Sequence, residues 1–173
     1  DPLKAYGKTT DLTAMGGAQY VHTFDKCFFM PSDLTAGLEY NRDRLKDNMW
    51  GYDRHTDQTV NIYSAFLQNE WKNDRWGILI GGRLDKHNMV DNVIFSPRAN
   101  LRFNPTQNIN LRLSYSSGFR APQAFDEDMH IENVGGTVAM IERAKNLKEE
   151  KSQSFSASAD MYHRFGVFQT NFL

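Results

Sequence analysis

The stretch "SPRANLRFNPTQNINLRLSYSSGFRAP", residues 96–122, alternates apolar and polar side chains on both sides of a short polar segment. Leu101 and Phe103 alternate with arginine and asparagine on the first arm, and Leu111 and Leu113 alternate with arginine and serine on the second. A period of two residues is that of a β-strand, whose successive side chains point to opposite faces. The "NPTQN" between the arms has the composition of a tight turn. The stretch therefore predicts an antiparallel hairpin with one apolar face and one polar face.

The same alternation recurs along the chain. Further two-faced segments lie at residues 34–41, 61–71, 76–85 and 154–162, with weaker candidates near 14–29 and 167–173. Short turns are expected at 31–33, 73–75, 104–108 and 163–166, and long polar connections at about 42–58, 85–93 and 119–149. We therefore predict an all-β fold, an antiparallel up-and-down meander of about eight strands, in one domain over residues 1–173.

Composition narrows the functional classes. The 20 Lys and Arg nearly balance the 21 Asp and Glu, so no strong attraction to nucleic acid is expected. The single cysteine, Cys27, excludes an internal disulfide and a paired redox motif. No phosphate-cradling glycine loop is present, and no nucleophile has a base placed beside it by the pattern. We therefore expect neither an enzyme nor a bound cofactor.

Two-faced strands fit two architectures. In a soluble sandwich or barrel the apolar face forms the core, whereas in an outer-membrane barrel it meets lipid and the polar face lines a wet lumen. Aromatic residues near predicted strand ends, such as Tyr40, Trp71 and Trp76, are typical of interfacial girdles and favour the membrane barrel. The polar face is also rich in arginine and in acids that could pair with it. The residues expected to line a lumen are Glu39, Glu70, Arg83, Asp85, Arg98, Arg102, Arg112 and Asp160.

The opening stretch resembles the barrel domain of TonB-dependent outer-membrane receptors. In that family an "SPR" strand leads to a short periplasmic turn, and the next strand ends at a "GFRAP" corner before a long extracellular loop. The resemblance extends over about residues 34–173, and it places Gly118 and Pro122 at the corner. Barrels of this family have about 22 strands and a plug domain inside. The resemblance therefore implies that residues 1–173 form a partial barrel without a plug. Its turns on the periplasmic side would be short and its extracellular loops long.

The resemblance also implies a function. It indicates a fragment of an active transporter in the outer membrane of a Gram-negative bacterium, which captures a scarce solute and imports it with TonB-coupled energy. The loop sequence is similar to Bacteroidetes-type receptors for cobalamin or ferric siderophores. Implied partners are the rest of the barrel and the plug, TonB through that plug, lipid or detergent, and a small-molecule ligand. Open strand edges would also allow self-association.

Two other functions fit the alternation alone. One is a soluble β-barrel or sandwich that binds a small apolar ligand, and the other is a small, complete outer-membrane adhesin or anchor.

The segment after the corner carries the candidate ligand residues. These are Phe119, Arg120, Asp126, Glu127, Asp128, His130 and Glu132. Arg120 fits a structural ion pair as well as a ligand contact. The acids fit hydrated loop charge, or Ca²⁺ binding at Asp126 and Asp128, although their spacing is not that of an EF-hand. His55 and His87 are expected to be solvated loop histidines.

Overall fold

The computed structural model describes residues 7–52, 54–121, 148–165 and 168–172. These residues form eight strands, with a short 3₁₀ turn at Trp50–Tyr52. The strands are β1 (Gly7–Cys27), β2 (Met30–Met49), β3 (Arg54–Lys72), β4 (Trp76–His87), β5 (Ile94–Thr106), β6 (Ile109–Arg120), β7 (Glu150–Phe165) and β8 (Phe168–Phe172). They make one antiparallel sheet in the order β1 to β8, so the predicted all-β meander is confirmed. The sheet is open, because β1 and β8 are not neighbours in it.

The predicted hairpin of residues 96–122 forms with the expected facing. Leu101 pairs with Leu113, and the adjacent register position pairs Arg102 with Arg112 on the other side of the sheet. Directly opposed residues in antiparallel strands share a face, so the alternation carries from strand to strand. We call the side of Leu101 and Leu113 the apolar face and the side of the two arginines the polar face.

The predicted long connection at residues 42–58 is wrong. The ladder between β2 and β3 continues without interruption from Ser32↔Trp71 to Met49↔Arg54, so only residues 50–53 connect the two strands. The outer part of this hairpin has charged residues on both faces. Its residues therefore lack the alternation of apolar and polar side chains that indicates a strand. The turn expected at 31–33 likewise lies earlier, at Phe28 and Phe29.

The corner assigned to Gly118 is also displaced. Gly118 lies inside β6 and pairs with Ser152, and the pairing of β6 with β7 ends at Arg120↔Glu150. The ladder therefore runs two residues beyond the glycine before the chain leaves the sheet. Pro122 lies outside the described residues.

The apolar face is uncovered in the described structure. Its large side chains are strongly exposed, as shown by Leu38 at 66%, Ile80 at 56% and Phe155 at 76%. The buried apolar residues are few among those described: Leu45, Val60, Val90, Ile94 and Ala121. No described element packs over this face, as a sandwich core would require.

No helix among the described residues is long and apolar enough to cross a membrane.

Candidate functional site: a charged face and a belted apolar face

A charged network crosses three strands on the polar face. The register places Glu39 of β2, Ser64 of β3 and Asp85 of β4 in one row. Arg83 lies on the same face, two residues before Asp85 on β4. Its Nη1 is 2.6 Å from Glu39 Oε2, and its Nε is 2.8 Å from Asp85 Oδ1. Its Nη2 donates to the Ser64 hydroxyl at 2.8 Å, and that hydroxyl donates to Asp85 at 2.6 Å. One guanidinium therefore joins β4 to β2 through charged hydrogen bonds.

Two members of this network are buried. Asp85 is 3% exposed and Ser64 is 6% exposed. A carboxylate removed from water needs a charged or hydrogen-bonded partner, because an unpaired buried charge is strongly destabilising. Arg83 and Ser64 provide both for Asp85.

A second set of arginines on the polar face lies nearer the short turns after β3 and β5. Arg112 of β6 forms an ion pair with Asp160 of β7 at 3.2 Å, and Asp160 is 2% exposed. Arg102 instead donates to backbone carbonyls, those of Asn73 at 3.2 Å and Trp76 at 3.4 Å. Arg102 therefore fixes the β3–β4 turn, while Arg112 ties β6 to β7.

Arg98 also lies on the polar face. No hydrogen bond or ion pair of its guanidinium is found within the described part of the chain. It borders a hollow of about 440 Å³ on the polar face. The polar residues around that hollow are Gln19, Thr35, Glu39, Gln68, Arg83, Ser96, Arg98, Ser116 and Ser117. Arg98 is thus placed to meet a carboxylate or another hydrogen-bond acceptor from outside the described residues.

The register brings all eight predicted lumen residues to one face. Glu70 and Asp160 lie on the same side as Arg83, because opposed pairs carry that face through every described strand from β2 to β7. The structure establishes this common face. Its assignment to the lumen of a closed barrel remains a prediction.

His87 continues the polar-face alternation of Arg83 and Asp85 and was missed as a wall residue. Its side chain is 0% exposed, and its Nδ1 accepts the backbone N–H of Met89 at 3.0 Å. The expected solvated loop position is therefore wrong. The period of two, extended by one residue pair beyond Asp85, would have found it.

Two of the predicted loop residues lie at the end of β6. Phe119 is half-buried and packs against Val90, Ile94 and Ala121. Arg120 is exposed and pairs in register with Glu150. The remaining candidates, Asp126, Glu127, Asp128, His130 and Glu132, lie outside the described residues, as does the possible calcium site.

Glu149 lies just before β7, whose pairing with β6 begins at Glu150. The Glu149 carboxylate lies 3.2 Å from the Lys151 ammonium. A hydrogen bond from its own backbone amide, and then the bond to Lys151, lower the pKa of Glu149. Glu149 is therefore anionic at neutral pH, next to the first residue of β7.

Aromatic residues border the apolar face at two levels. The lower level is the one next to the short turns after β3 and β5. It contains the stacked pair Trp76 and Phe103, with ring centroids 4.2 Å apart, and Trp71, whose ring stacks on Phe29 at 5.7 Å. The upper level contains Tyr40 against Tyr63 at 4.9 Å. We call these the lower belt and the upper belt.

The distance between the belts is somewhat smaller than the height of the apolar band of an outer-membrane barrel. Tyr63 of the upper belt and Trp71 of the lower belt are eight residues apart on β3. At about 3.3 Å per residue this is about 26 Å along the strand. With the tilt of about 40° usual for barrel strands, the height is about 20 Å, against a band of about 25 Å in outer-membrane barrels.

Comparisons with known proteins agree with this geometry. A family model for the TonB-dependent receptor-like β-barrel matches residues 3–172. The siderophore receptor PirA from Pseudomonas aeruginosa is 18% identical with a TM-score of 0.66, over 92% of this chain and 30% of its own. PirA from Acinetobacter baumannii is 17% identical with a TM-score of 0.67, over 95% of this chain and 26% of its own.

A mutant of the ferric enterobactin receptor from Pseudomonas aeruginosa is 22% identical with a TM-score of 0.53, over 67% of this chain and 18% of its own. At these identities the structural likeness shows the fold alone. The chain spans less than a third of the length of each of these solved structures. No curated protein matches the sequence significantly.

Proposed function

The chain belongs to the β-barrel family of TonB-dependent receptors, and on that premise we propose that it forms part of the wall of an outer-membrane transporter. Members of this family are receptors rather than enzymes. The transporter imports a scarce solute, with a ferric siderophore as the first candidate and cobalamin as the second. The observation that carries the proposal is the exposed apolar face between two aromatic belts, opposite a face of ion-paired arginines.

The orientation follows from the lengths of the connections. The turns after β1, β3 and β5 are short, and the longest connection, residues 121–149, follows β6. In outer-membrane barrels short turns face the periplasm and long loops face the outside. The lower belt would then lie at the periplasmic boundary of the bilayer and the upper belt at the outer boundary.

The polar face would line the lumen and contact a plug domain. Charged hydrogen bonds such as those of Arg83 hold neighbouring strands together, while Arg98 is placed to bind an acceptor on the plug. Release of the plug by a TonB-type partner would open a path for the solute. Capture of the solute is assigned to the connection after β6, where Phe119 and Arg120 stand at its base.

The soluble alternative requires a cover for the apolar face. In a soluble sandwich the side chains of Leu38, Ile80 and Phe155 would be buried under a second layer. The described residues form a single sheet without that layer. The membrane wall needs no cover other than lipid.

Uptake measurements test the function. In cells without the gene for the complete receptor, we expect loss of uptake of radiolabelled ferric siderophore or of radiolabelled cobalamin, with recovery when the gene is returned. Cells without TonB should show the same loss. Normal uptake of both solutes in the receptor-deficient cells would contradict the proposal.

A further inference from the structure

The outer end of β2 separates its charges by sign. In "RDRLKD", residues 42–47, the bases stand at Arg42, Arg44 and Lys46 and the acids at Asp43 and Asp47. Because the ladder with β3 is unbroken from Ser32 to Met49, the period of two puts the bases on the apolar-face side, in line with Leu38 and Tyr40. The acids face the other way, where Asp47 accepts the hydroxyl of Thr9 at 2.6 Å.

The basic side has more positive than negative charge. Asp57 of β3 is shared by two of the bases, at 3.5 Å from Arg44 Nη2 and 3.3 Å from Lys46 Nζ. All three side chains are open to the surroundings, at 39% for Arg44, 45% for Lys46 and 54% for Asp57. Arg42 is exposed, and no hydrogen bond or ion pair of its guanidinium is found among the described residues. Three cations therefore face one carboxylate.

The lowest of these bases, Arg42, lies at the height of the headgroup layer above the upper belt, and Arg44 and Lys46 lie beyond it. Arg42, Arg44 and Lys46 lie two, four and six residues beyond Tyr40 on the same strand. At about 3.3 Å per residue and a tilt of about 40°, this is about 5, 10 and 15 Å above the belt. The headgroup layer of a bilayer is about 5 to 8 Å thick on each side. The long side chains of Arg42 and Arg44 can reach phosphates at that depth.

We propose that Arg42 and Arg44, with Lys46 as a more distant charge above them, form an outward-facing site for the phosphate groups of anionic lipids in the outer leaflet. The inference rests on the proposed function, because it needs a barrel wall in a bilayer. Guanidinium groups match phosphate oxygens in a two-bond geometry, and ammonium groups act as point charges. The acids on the opposite side of the strand keep the attraction on the lipid side of the wall.

Native mass spectrometry of the complete receptor in a nonionic detergent tests the site. The receptor is titrated with phosphatidylglycerol, and with zwitterionic phosphatidylcholine as a comparison. Each basic side chain near an anionic lipid surface contributes about fivefold to binding. We expect Arg42→Gln, Arg44→Gln and Lys46→Gln together to weaken phosphatidylglycerol binding by at least about tenfold, with little effect on phosphatidylcholine.

Two further variants sharpen the test. Asp57→Asn removes the carboxylate that Arg44 and Lys46 share, so it should strengthen phosphatidylglycerol binding severalfold. Asp43→Asn changes the charge of the same strand by the same amount on the other face, so it should leave binding unchanged. Unchanged binding in the triple variant, or equal effects of Asp57→Asn and Asp43→Asn, would overturn the site.

Inorganic phosphate separates a lipid site from a free-anion site. Competition by millimolar phosphate at these residues would show an anion site and refute the lipid assignment. The readout is also independent of transport. A receptor that binds the lipid but imports neither solute would disprove the proposed function and leave the lipid site standing.

Discussion

The Nη1 of Arg83 lies 2.6 Å from Oε2 of Glu39, and this contact joins β4 to β2 across the intervening strand β3. The two ends of the contact are not equivalent. The Glu39 side chain is 40% exposed, whereas Asp85, the other acid bound to Arg83, has a side chain that is only 4% exposed.

Removal of the arginine should therefore cost far more than removal of the glutamate. Arg83→Met leaves Asp85 buried without its cation, and we expect a loss of about 1 to 3 kcal/mol in the free energy of unfolding. Glu39→Gln breaks a partly exposed ion pair and should cost less than about 1 kcal/mol. The temperature at which heating changes the mobility of the receptor on gels compares the stability of the two variants. Equal shifts for the two variants would contradict this account of the network.

Gly37 lies directly against the ring of Phe66. The two residues are paired in register, and a Cβ added at Gly37 would overlap the Phe66 ring and come within 3.0 Å of the Ala18 carbonyl oxygen. We expect Gly37→Ala to destabilise the barrel by about 1 to 3 kcal/mol. Gly16→Ala is the matched control, because nothing lies within 4 Å of a Cβ there. Replacement of Phe66 by leucine should recover part of the loss if the ring is its cause.

The β1–β2 turn contains a strained phenylalanine. Phe28 has a φ of 62°, which is unfavourable for a residue with a Cβ, and its side chain is 84% exposed. Glycine adopts this conformation freely, so Phe28→Gly should raise the free energy of unfolding by up to about 1 kcal/mol.

Phe29→Gly provides the contrast for that turn. Phe29 has no positive φ and stacks on Trp71, so the same substitution there should destabilise the protein. Chemical unfolding of the receptor in detergent gives both values. A loss of stability in Phe28→Gly as large as in Phe29→Gly would mean that the ring of Phe28 contributes more than its backbone strain removes.

Tryptophan quenching locates the apolar face. Trp71 and Trp76 lie in the lower belt, whereas Trp50 lies at the tip of the β2–β3 hairpin, well beyond the upper belt. In vesicles of brominated lipid, Trp76→Phe and Trp71→Phe should each remove quenchable emission. Trp50→Phe should remove emission that the bromine does not quench. Emission from Trp76 that is insensitive to the brominated lipid would show that this face does not meet the bilayer.

The strands between the two belts were predictable from local alternation. Leu101 next to Arg102 and Leu111 next to Arg112 specify two faces, because side chains alternate in any extended strand and only one face is apolar. The outer half of β2 was not predicted, because it lacks this alternation. Arg42, Asp43 and Arg44 are polar on both faces, and only pairing with β3 shows that this segment is a strand.

The sequence by itself determined the β-class, the approximate number of strands and the residues that share a face, because a period of two is a local property of the backbone. The tertiary structure decided which members of the polar face meet. Arg83 reaches Glu39 and Asp85, while Arg98 on the next strand contacts neither. Register is set by hydrogen bonds along the whole ladder between strands distant in sequence, and no local pattern contains that information.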